Sequence, residues 1–378
     1  MLVERFSMGS HGSHISFCMT QINSRTLDIT PAPDHLQVRQ LANDAAVIQQ
    51  WEAYVAAAPA ATFFHRAGWQ NILRKVFGHR TFFLYAERDG VIEGVLPLAQ
   101  IKSLLFGNSL IALPFAVYGG VVADSEEAAA ALEREAERLA LELGVAHLEY
   151  RNMTPRHAEW PTQDLYVTFR KEITADDEAN MLTIPRKQRA MVRKGINNKL
   201  RAEFDTTADR FFALFADNVH RHGTPAMPKR YFEALLHEFG KDCEILTVVD
   251  PEGAPLSSVL SFYFRDEILP YYAGDAERAR DFAANDFKYW ALMCHAAQRG
   301  IKVFDYGRSK VGTGPYSFKK NWGFEPQPLH YEYRLYKRDG IPQNNPNNPK
   351  YKLMIETWRR MPLALANFLG PFIVRNLG

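Results

Sequence analysis

The sequence predicts an α/β protein built from two mixed α/β units in tandem. Three observations carry that expectation. The chain has 378 residues, and domains usually run ~100–200 residues, so two fit. The order strand, strand, strand, helix, strand reads out twice. In both copies a glycine-bearing stretch, 118–122 or 271–275, precedes the helix.

In the first half, ordered patterning begins near Leu36. Val47, Ile48, Trp51 and Val55 recur at helical spacing and predict a helix over 45–57. A short segment at 62–65 and a helix-like 69–76 follow. Residues 81–87 and 91–101 read as strands around the turn Arg88-Asp89-Gly90, and 110–115 reads as the third. Residues 125–143 are rich in Ala and Glu, with Ser125 placed to cap the helix and Gly144 to stop it. The strand 145–151 closes the unit. In the second half, 209–222 is helical. Strands at 243–249, 256–264 and 268–273 are joined by Pro251-Glu252-Gly253 and Arg265-Asp266-Glu267. A helix over 285–299, a strand at 303–306, a short helix at 315–321 and a last strand at 329–336 complete the order. Polar residues at 174–184 and Asn/Pro-rich 344–349 interrupt the pattern. The expected organisation is therefore a disordered leader (1–35), a first unit (36–173), a second unit (174–336) and a C-terminal segment (337–378).

Composition narrows the classes. Apolar residues at 47% and charged residues at 23% suit a globular chain, not a polyelectrolyte, a collagen or a disulfide miniprotein. A formal charge of +2 gives no global attraction to nucleic acid, so DNA is not an expected partner and anion binding must be local. Cys18, Cys243 and Cys294 form no CxxC and fit a reduced, cytoplasmic chain. The leader lacks the apolar run of a secretory signal. No stretch offers the ~20 apolar residues of a spanning helix, although the tail from 351 to 378 has an interfacial character, with Trp358, Leu363, Leu365, Phe368, Leu369 and Phe372 beside Arg359, Arg360 and Arg375.

Three stretches could carry chemistry. From Arg186 to Arg201 there are seven basic residues and no acidic one. Pro185 suits a helix entry. Arg186, Arg189 and Arg193 then share one face, with Lys187 and Lys194 beside it. Such a face is either a solvated basic helix or a phosphate site, since guanidinium forks and lysine charges suit phosphodiesters. The second stretch, Phe304-Asp305-Tyr306-Gly307-Arg308-Ser309-Lys310 through Phe324, is a basic, glycine-rich loop opening a short helix. It could cradle an anion on backbone N–H groups or simply be a tight loop with Lys319 and Lys320 in water. It matches neither the Walker A loop nor GxGxxG. Third, Tyr271-Tyr272-Ala273-Gly274-Asp275 and Ala284-Asn285-Asp286-Phe287-Lys288 place polar groups at a strand end and a helix start; Asn285 could equally be a helix cap. There is no HExxH, no zinc-spaced Cys and no GxSxG elbow, so no metal site and no hydrolase triad are expected.

Taken together, IPRKQRAMVRKG (184–195), NVHRHGTP (218–225), LPYYAGD (269–275), ANDFKYWALM (284–293), FDYGRSKVGTGPYSFKKNWGFEPQPL (304–329) and NPNNPKY (345–351), with the tail (358–371) and PFAVYGG (114–120), resemble the FemAB-type peptidyltransferases. The resemblance is nearer to the branch associated with PEP-CTERM/exosortase systems and exopolysaccharide loci, and covers about residues 45–378. It implies two tandem GNAT-like (acyl-CoA N-acyltransferase-like) domains, with the C-terminal segment returning to the first. It also implies transfer of an acyl or aminoacyl group onto a cell-envelope glycan, lipid-linked precursor or peptide. The donor would be phosphate-bearing, either aminoacyl-tRNA or acyl-CoA, with no tightly bound cofactor. The tRNA-binding coiled-coil arm of the better-known relatives is not matched here, nor is the usual GNAT pyrophosphate signature. The family lysine falls on Lys319 or Lys320, which would act at the reacting carbonyl, and Asp275 is the candidate base. Arg186, Lys187, Arg189, Arg193, Arg308 and Lys310 would hold phosphates; Tyr272, Asn285 and Tyr316 would position the acceptor; Lys288 and Ser309 are further substrate-binding candidates. The other reading is a non-catalytic protein that binds RNA or anionic lipid on the same fold. Weak contact of 351–378 with the inner membrane surface is a further expectation.

Overall fold

The computed structural model describes residues 35–103, 106–342 and 349–377. The expected leader up to residue 34, Cys18 and most of the Asn/Pro-rich break lie outside the described residues.

Two eight-stranded mixed sheets form the frame. The first contains β1 (Gln37–Gln40), β2 (Arg80–Arg88), β3 (Val91–Ser103), β4 (Gly107–Ile111), β5 (Val122–Ala123), β6 (His147–Asn152) and β7 (Thr162–Gln163). The second contains β8 (Tyr166–Glu172), β9 (Arg201–Asp205), β10 (Cys243–Val249), β11 (Pro255–Phe264), β12 (Glu267–Asp275), β13 (Val303–Asp305), β14 (Ser309–Lys310) and β15 (Pro326–Pro328). The last strand, β16 (His330–Leu335), returns to the first sheet between β6 and β7. Each sheet is an antiparallel meander with one parallel step, β4 to β6 in the first and β12 to β13 in the second. A parallel step requires a crossover. In the first unit, helices α1 (Ala45–Ala57), α2 (Gly68–Ile72) and α3 (Glu126–Glu142) are present, and α3 makes the crossover. The second unit carries α4 (Asp177–Thr183), α5 (Arg186–Asn197), α6 (Asp209–Arg221), α7 (Lys229–Phe239), α8 (Ala279–Phe282), α9 (Ala284–Gln298) and α10 (Gly314–Asn321), with α9 as crossover. Helices α11 (Pro349–Arg360) and α12 (Leu363–Val374) end the chain. The duplicated order read from the sequence is thus present.

Local chemistry explains most elements. The β2–β3 hairpin turns on Asp89 and Gly90, both at positive φ (51° and 80°), as a tight hairpin needs. Ser125 accepts a hydrogen bond from the Ala128 N–H at 3.1 Å and starts α3. One face of α3, with Ala128, Leu132, Ala136 and Leu139, is buried on the first sheet. A larger apolar cluster joins the two units, with Phe63 stacked on Phe262 at 4.3 Å.

Several expectations change. The third strand stops at Ile111 rather than at residue 115, because Leu113 and Phe115 take left-handed φ of 59° and 66°, which no strand continues. The polar stretch 174–184 contains α4, capped by the Asp176 carboxylate on the Glu178 and Ala179 N–H groups. Strand β8, which the sequence reading passed over, lies before the expected boundary yet belongs to the second sheet, while β16 lies before residue 337 yet belongs to the first. The two sheets therefore exchange strands across both expected boundaries. The C-terminal segment is divided. Lys337 hydrogen-bonds the first unit through Gly144 and Ala146. Helices α11 and α12 instead lie on α6 and the turn after it: His220 bonds the Met361 carbonyl at 2.9 Å, and a Cβ on Gly370 would come within 3.1 Å of the Ala226 carbonyl oxygen. The tail meets the first unit again where Arg375 stands beside His79.

Candidate active site

Strands β12 and β13 pair only at Glu267–Val303 and Ile268–Phe304, then diverge. The gap beyond is walled by both units. The 113–120 segment of the first unit runs past it, so Tyr271 donates to the Phe115 carbonyl (2.6 Å) and Tyr331 to the Val117 carbonyl (2.6 Å). At the end of β13, the buried Asp305 carboxylate accepts from Tyr118 (2.7 Å), Thr168 (3.1 Å), Arg170 (3.1 Å) and the Gly307 N–H (2.7 Å). Asp305 thereby ties the first-unit segment, β8 and the start of the glycine-rich loop to one point. Asp305 and Gly307 stand in the glycine-rich stretch singled out for its chemistry and Tyr118 in the 114–120 motif, whereas Thr168 and Arg170 sit in the strand the sequence reading passed over.

Arg308 emerges from that point. It keeps solvent exposure, donates to the Tyr331 hydroxyl at 3.1 Å and lies over the Tyr166 ring at 4.6 Å. Tyr272, half-buried, shares a 3.0 Å hydrogen bond with Tyr231. Burial pushes the phenols of Tyr271, Tyr272 and Tyr331 upward, so they work as neutral hydroxyls. The Arg308 guanidinium, fixed by the Tyr331 hydroxyl and the Tyr166 ring, has further N–H groups that can hold a phosphate or a developing oxyanion.

The two lysines of the short helix differ. Lys319 is buried, and its Nζ donates to the carbonyls of Tyr306 (2.6 Å), Gly307 (2.9 Å) and Arg308 (3.1 Å). An ammonium has three N–H groups, so all are engaged in shaping the loop that presents Arg308. Burial pushes Lys319 down to about 7, with Asp305 opposing and Arg308 adding to the fall. Lys320 is exposed, near the Tyr316 ring at 5.8 Å. Ser309 is buried with no partner for its hydroxyl among the described residues, and Lys310 is half-buried beside it.

Asp275 ends β12. Its Oδ1 accepts from Lys288 Nζ at 3.0 Å and from the Ser257 hydroxyl. Lys288 is fully buried, which removes it from direct contact with an acceptor; it fixes Asp275 instead. Asn285 is half-buried and caps nothing: α9 starts from Ala283 in the left-handed region, without a side-chain cap. The next residue, buried Asp286, accepts from Gln188 (2.6 Å) and Trp322 (3.0 Å), and burial raises its carboxyl. That bridge joins α5, α9 and α10, and Pro185 packs on Gly323. The basic helix and the lysine helix are therefore neighbours rather than opposite walls. Arg186, Lys187 and Arg193 are exposed and Arg189 half-buried, and none has an ion-pair partner among the described residues.

A separate cleft of about 580 Å³ lies between the units, lined by His65, Tyr118, Gly120, Arg151, Arg170 and Arg265 among others, and by none of the expected site residues. Its arginines are already engaged. Arg151 pairs with Glu149 (2.7 Å), and Arg170 pairs with Asp305 and Glu267, while Arg265 donates to backbone carbonyls of 55–61. No cluster of metal-ligating side chains exists among the described residues.

These features define two GNAT-like α/β units in tandem, the second carrying the open strand gap. Residues 183–320 match the family described as acetyltransferase (GNAT) domain. Over 90 residues, 22% of this chain, the sequence is 28% identical to lipid II:glycine glycyltransferase of Staphylococcus aureus. The matched stretch spans 21% of that relative's length. In fold, the chain is similar to the crystal structure of FemX, with a TM-score of 0.63, 16% identity, and coverage of 84% of this chain and all of the other. It is also similar to a tandem GNAT protein from the clavulanic acid biosynthesis pathway, with a TM-score of 0.53 and 13% identity over 81% of this chain and all of the other. The expected tandem GNAT architecture is confirmed.

Proposed function

We propose that this chain is a FemAB-type acyl or aminoacyl transferase that forms an amide or ester on a lipid-linked or other cell-envelope precursor. The observation that carries the reading is exposed Arg308, held by Tyr331 and Tyr166 at the β12–β13 gap of the GNAT-matched domain. The likeness to lipid II:glycine glycyltransferase supports a lipid-linked acceptor and an aminoacyl donor; acyl-CoA is the alternative donor. A tie to exopolysaccharide and PEP-CTERM systems rests on the motif resemblance.

In this reading the acceptor's amine or hydroxyl attacks the donor carbonyl. The C–N or C–O bond forms, charge collects on the carbonyl oxygen, and the carrier leaves with a proton. Arg308 stabilises that oxygen. Asp275, held by Lys288 and Ser257, takes the proton from the attacking group directly or through water. Lys319 is a positioning residue, because its N–H groups are spent on the loop. Lys320 and the exposed cations of α5 hold the phosphates of the carrier.

The test supplies purified protein with labelled aminoacyl-tRNA or labelled acetyl-CoA and a lipid-linked precursor extract. Transfer from one donor, reduced about 100-fold or more in Arg308→Ala with unchanged thermal unfolding, is the expected result. No transfer from either donor, or full transfer by Arg308→Ala, overturns the assignment. The unpaired cationic face of α5 also favours a second reading, RNA binding without chemistry. Tight, steeply salt-dependent RNA binding with no transfer would select it.

A further inference from the structure

Helix α12 is apolar on both sides. Ala366, Gly370 and Val374 are buried, with Gly370 against Ala226. Leu365, Phe368 and Phe372, at i, i+3 and i+7, share another face and stand 45%, 66% and 58% exposed. The two phenylalanine rings touch each other at 5.9 Å, and Met354 on α11 is 53% exposed. Two neighbouring phenylalanines, each more than half in water, are an unusual cost for a terminal helix that already has a packed side. The flanking charge is of one sign. Residues 349–378 contain Lys350, Lys352, Arg359, Arg360 and Arg375 against the single acid Glu356. Arg359, Arg360 and Arg375 are exposed.

We infer that α12 is the membrane-docking face of this protein, entering the headgroup region of an anionic bilayer through Leu365, Phe368 and Phe372. Aromatic and aliphatic side chains flanked by arginines are the chemistry of interfacial helices. Each added cation near an anionic surface strengthens the attachment, and salt weakens it. A second copy of this chain fits the face less well. A two-fold contact through α12 would bring two such cationic segments together, whereas anionic lipid neutralises them. No helix among the described residues is long and apolar enough to cross a membrane, and docking along the surface needs none. Nothing in this placement depends on the transfer reaction.

The test is flotation of the full chain with phosphatidylcholine vesicles, with and without one-third phosphatidylglycerol. Compared with it are Phe368→Ser/Phe372→Ser and Arg359→Glu/Arg360→Glu, with thermal unfolding checked for each. The expected result is flotation with phosphatidylglycerol vesicles that falls about tenfold or more in both variants and falls with added salt. The charge-reversal variant leaves every α12 side chain in place; Arg359 also donates to the His222 carbonyl at 3.4 Å, so with thermal unfolding matched to the parent it decides the matter if the phenylalanine variant misfolds. Flotation unchanged in the folded variants, or no flotation of the parent chain, overturns the proposal. A parent dimer that Phe368→Ser/Phe372→Ser converts to monomer, without lipid binding, assigns the face to self-association instead.

Discussion

The Asp305 carboxylate accepts four hydrogen bonds from three separate segments of the chain, and its replacement gives the sharpest test of how the site is held. In Asp305→Asn, one carboxylate oxygen becomes an NH2. If that group faces Oδ2's partners, it meets Arg170, which has no acceptor to offer; on the Oδ1 side it meets the Gly307 N–H. The Tyr118 and Thr168 hydroxyls can rotate to adapt, but those two donors cannot. Arg170 also loses one of its two counter-charges and keeps Glu267. Breaking a buried pair costs ~3–5 kcal/mol, and because Glu267 remains, the lower end, about 3 kcal/mol, is expected. Tyr118→Phe removes the hydrogen bond to the charged Asp305, about 1.5–3 kcal/mol, together with the 2.6 Å hydrogen bond shared with Thr168. Residues in direct contact couple, so a double-mutant cycle should give an interaction of about 1 kcal/mol or more. The assay is urea unfolding followed by tryptophan fluorescence, read at constant slope. Asp305→Asn within about 1 kcal/mol of the parent, or strict additivity with Tyr118→Phe, would refute the role of Asp305 as the tie between the units.

Other outcomes follow from single environments. Burial alone would lower His157, but Glu133 and Glu332 outweigh it and raise it to about 9 from the usual 6.5. The folded state then holds the proton more tightly, so this stabilisation is complete below pH 6.5 and is lost as pH climbs through 9. It amounts to at most about 3 kcal/mol, and His157→Gln should flatten the fall in a pH series of unfolding curves. Lys319→Met strands three carbonyls and should destabilise the chain by about 2 kcal/mol or more, whereas Lys320→Ala should stay within about 0.5 kcal/mol; equal effects in thermal melts would contradict the distinct roles given to them. A Cβ on Gly274 would stand 2.4 Å from the Phe215 backbone, so Gly274→Ala should push β12 from α6 and cost about 3 kcal/mol or more, visible as a lowered urea midpoint.

The order of elements was legible because it is written locally. The capping serine and alanine-rich stripe of α3, the Asp89-Gly90 turn and the apolar runs of β10 and β11 each predict themselves. Sheet membership was not, because it depends on partners far along the chain. Nothing in 329–336 says that it pairs with 147–152, and β8 hides among polar residues whose meaning, a shared bond to Asp305, is more than 130 positions away. Helix α7 was missed although its signal was present, in Tyr231, Phe232, Leu235 and Phe239 on one buried face. In the site, motif reading found Arg308, the lysine pair and the basic helix. It could not tell Lys319 from Lys320, since adjacent helix positions point about 100° apart and only packing decides which turns inward.

Duplication also explains why the candidate chemistry sits in the second unit. Both sheets have a parallel step, hence a place where strands part. In the first unit that place is filled from within: Ala112 and Gly119 bond the backbone of Glu149 and Arg151, and the Arg151 guanidinium, buried, closes onto the Ala116 carbonyl at 2.7 Å. The same 113–119 segment is held in left-handed backbone at Leu113 and Phe115, a cost of about 1–3 kcal/mol per residue that persists only where the surroundings enforce it. The second unit provides that enforcement through Tyr271 and Asp305. One unit has thus given up its own gap to build a wall of the other's, and a ligand entering beside Arg308 would touch residues from both. On the proposed function neither unit alone contains the site, so the phenylalanine stack and the Asp305 tie between them should bear on transfer as well as on stability.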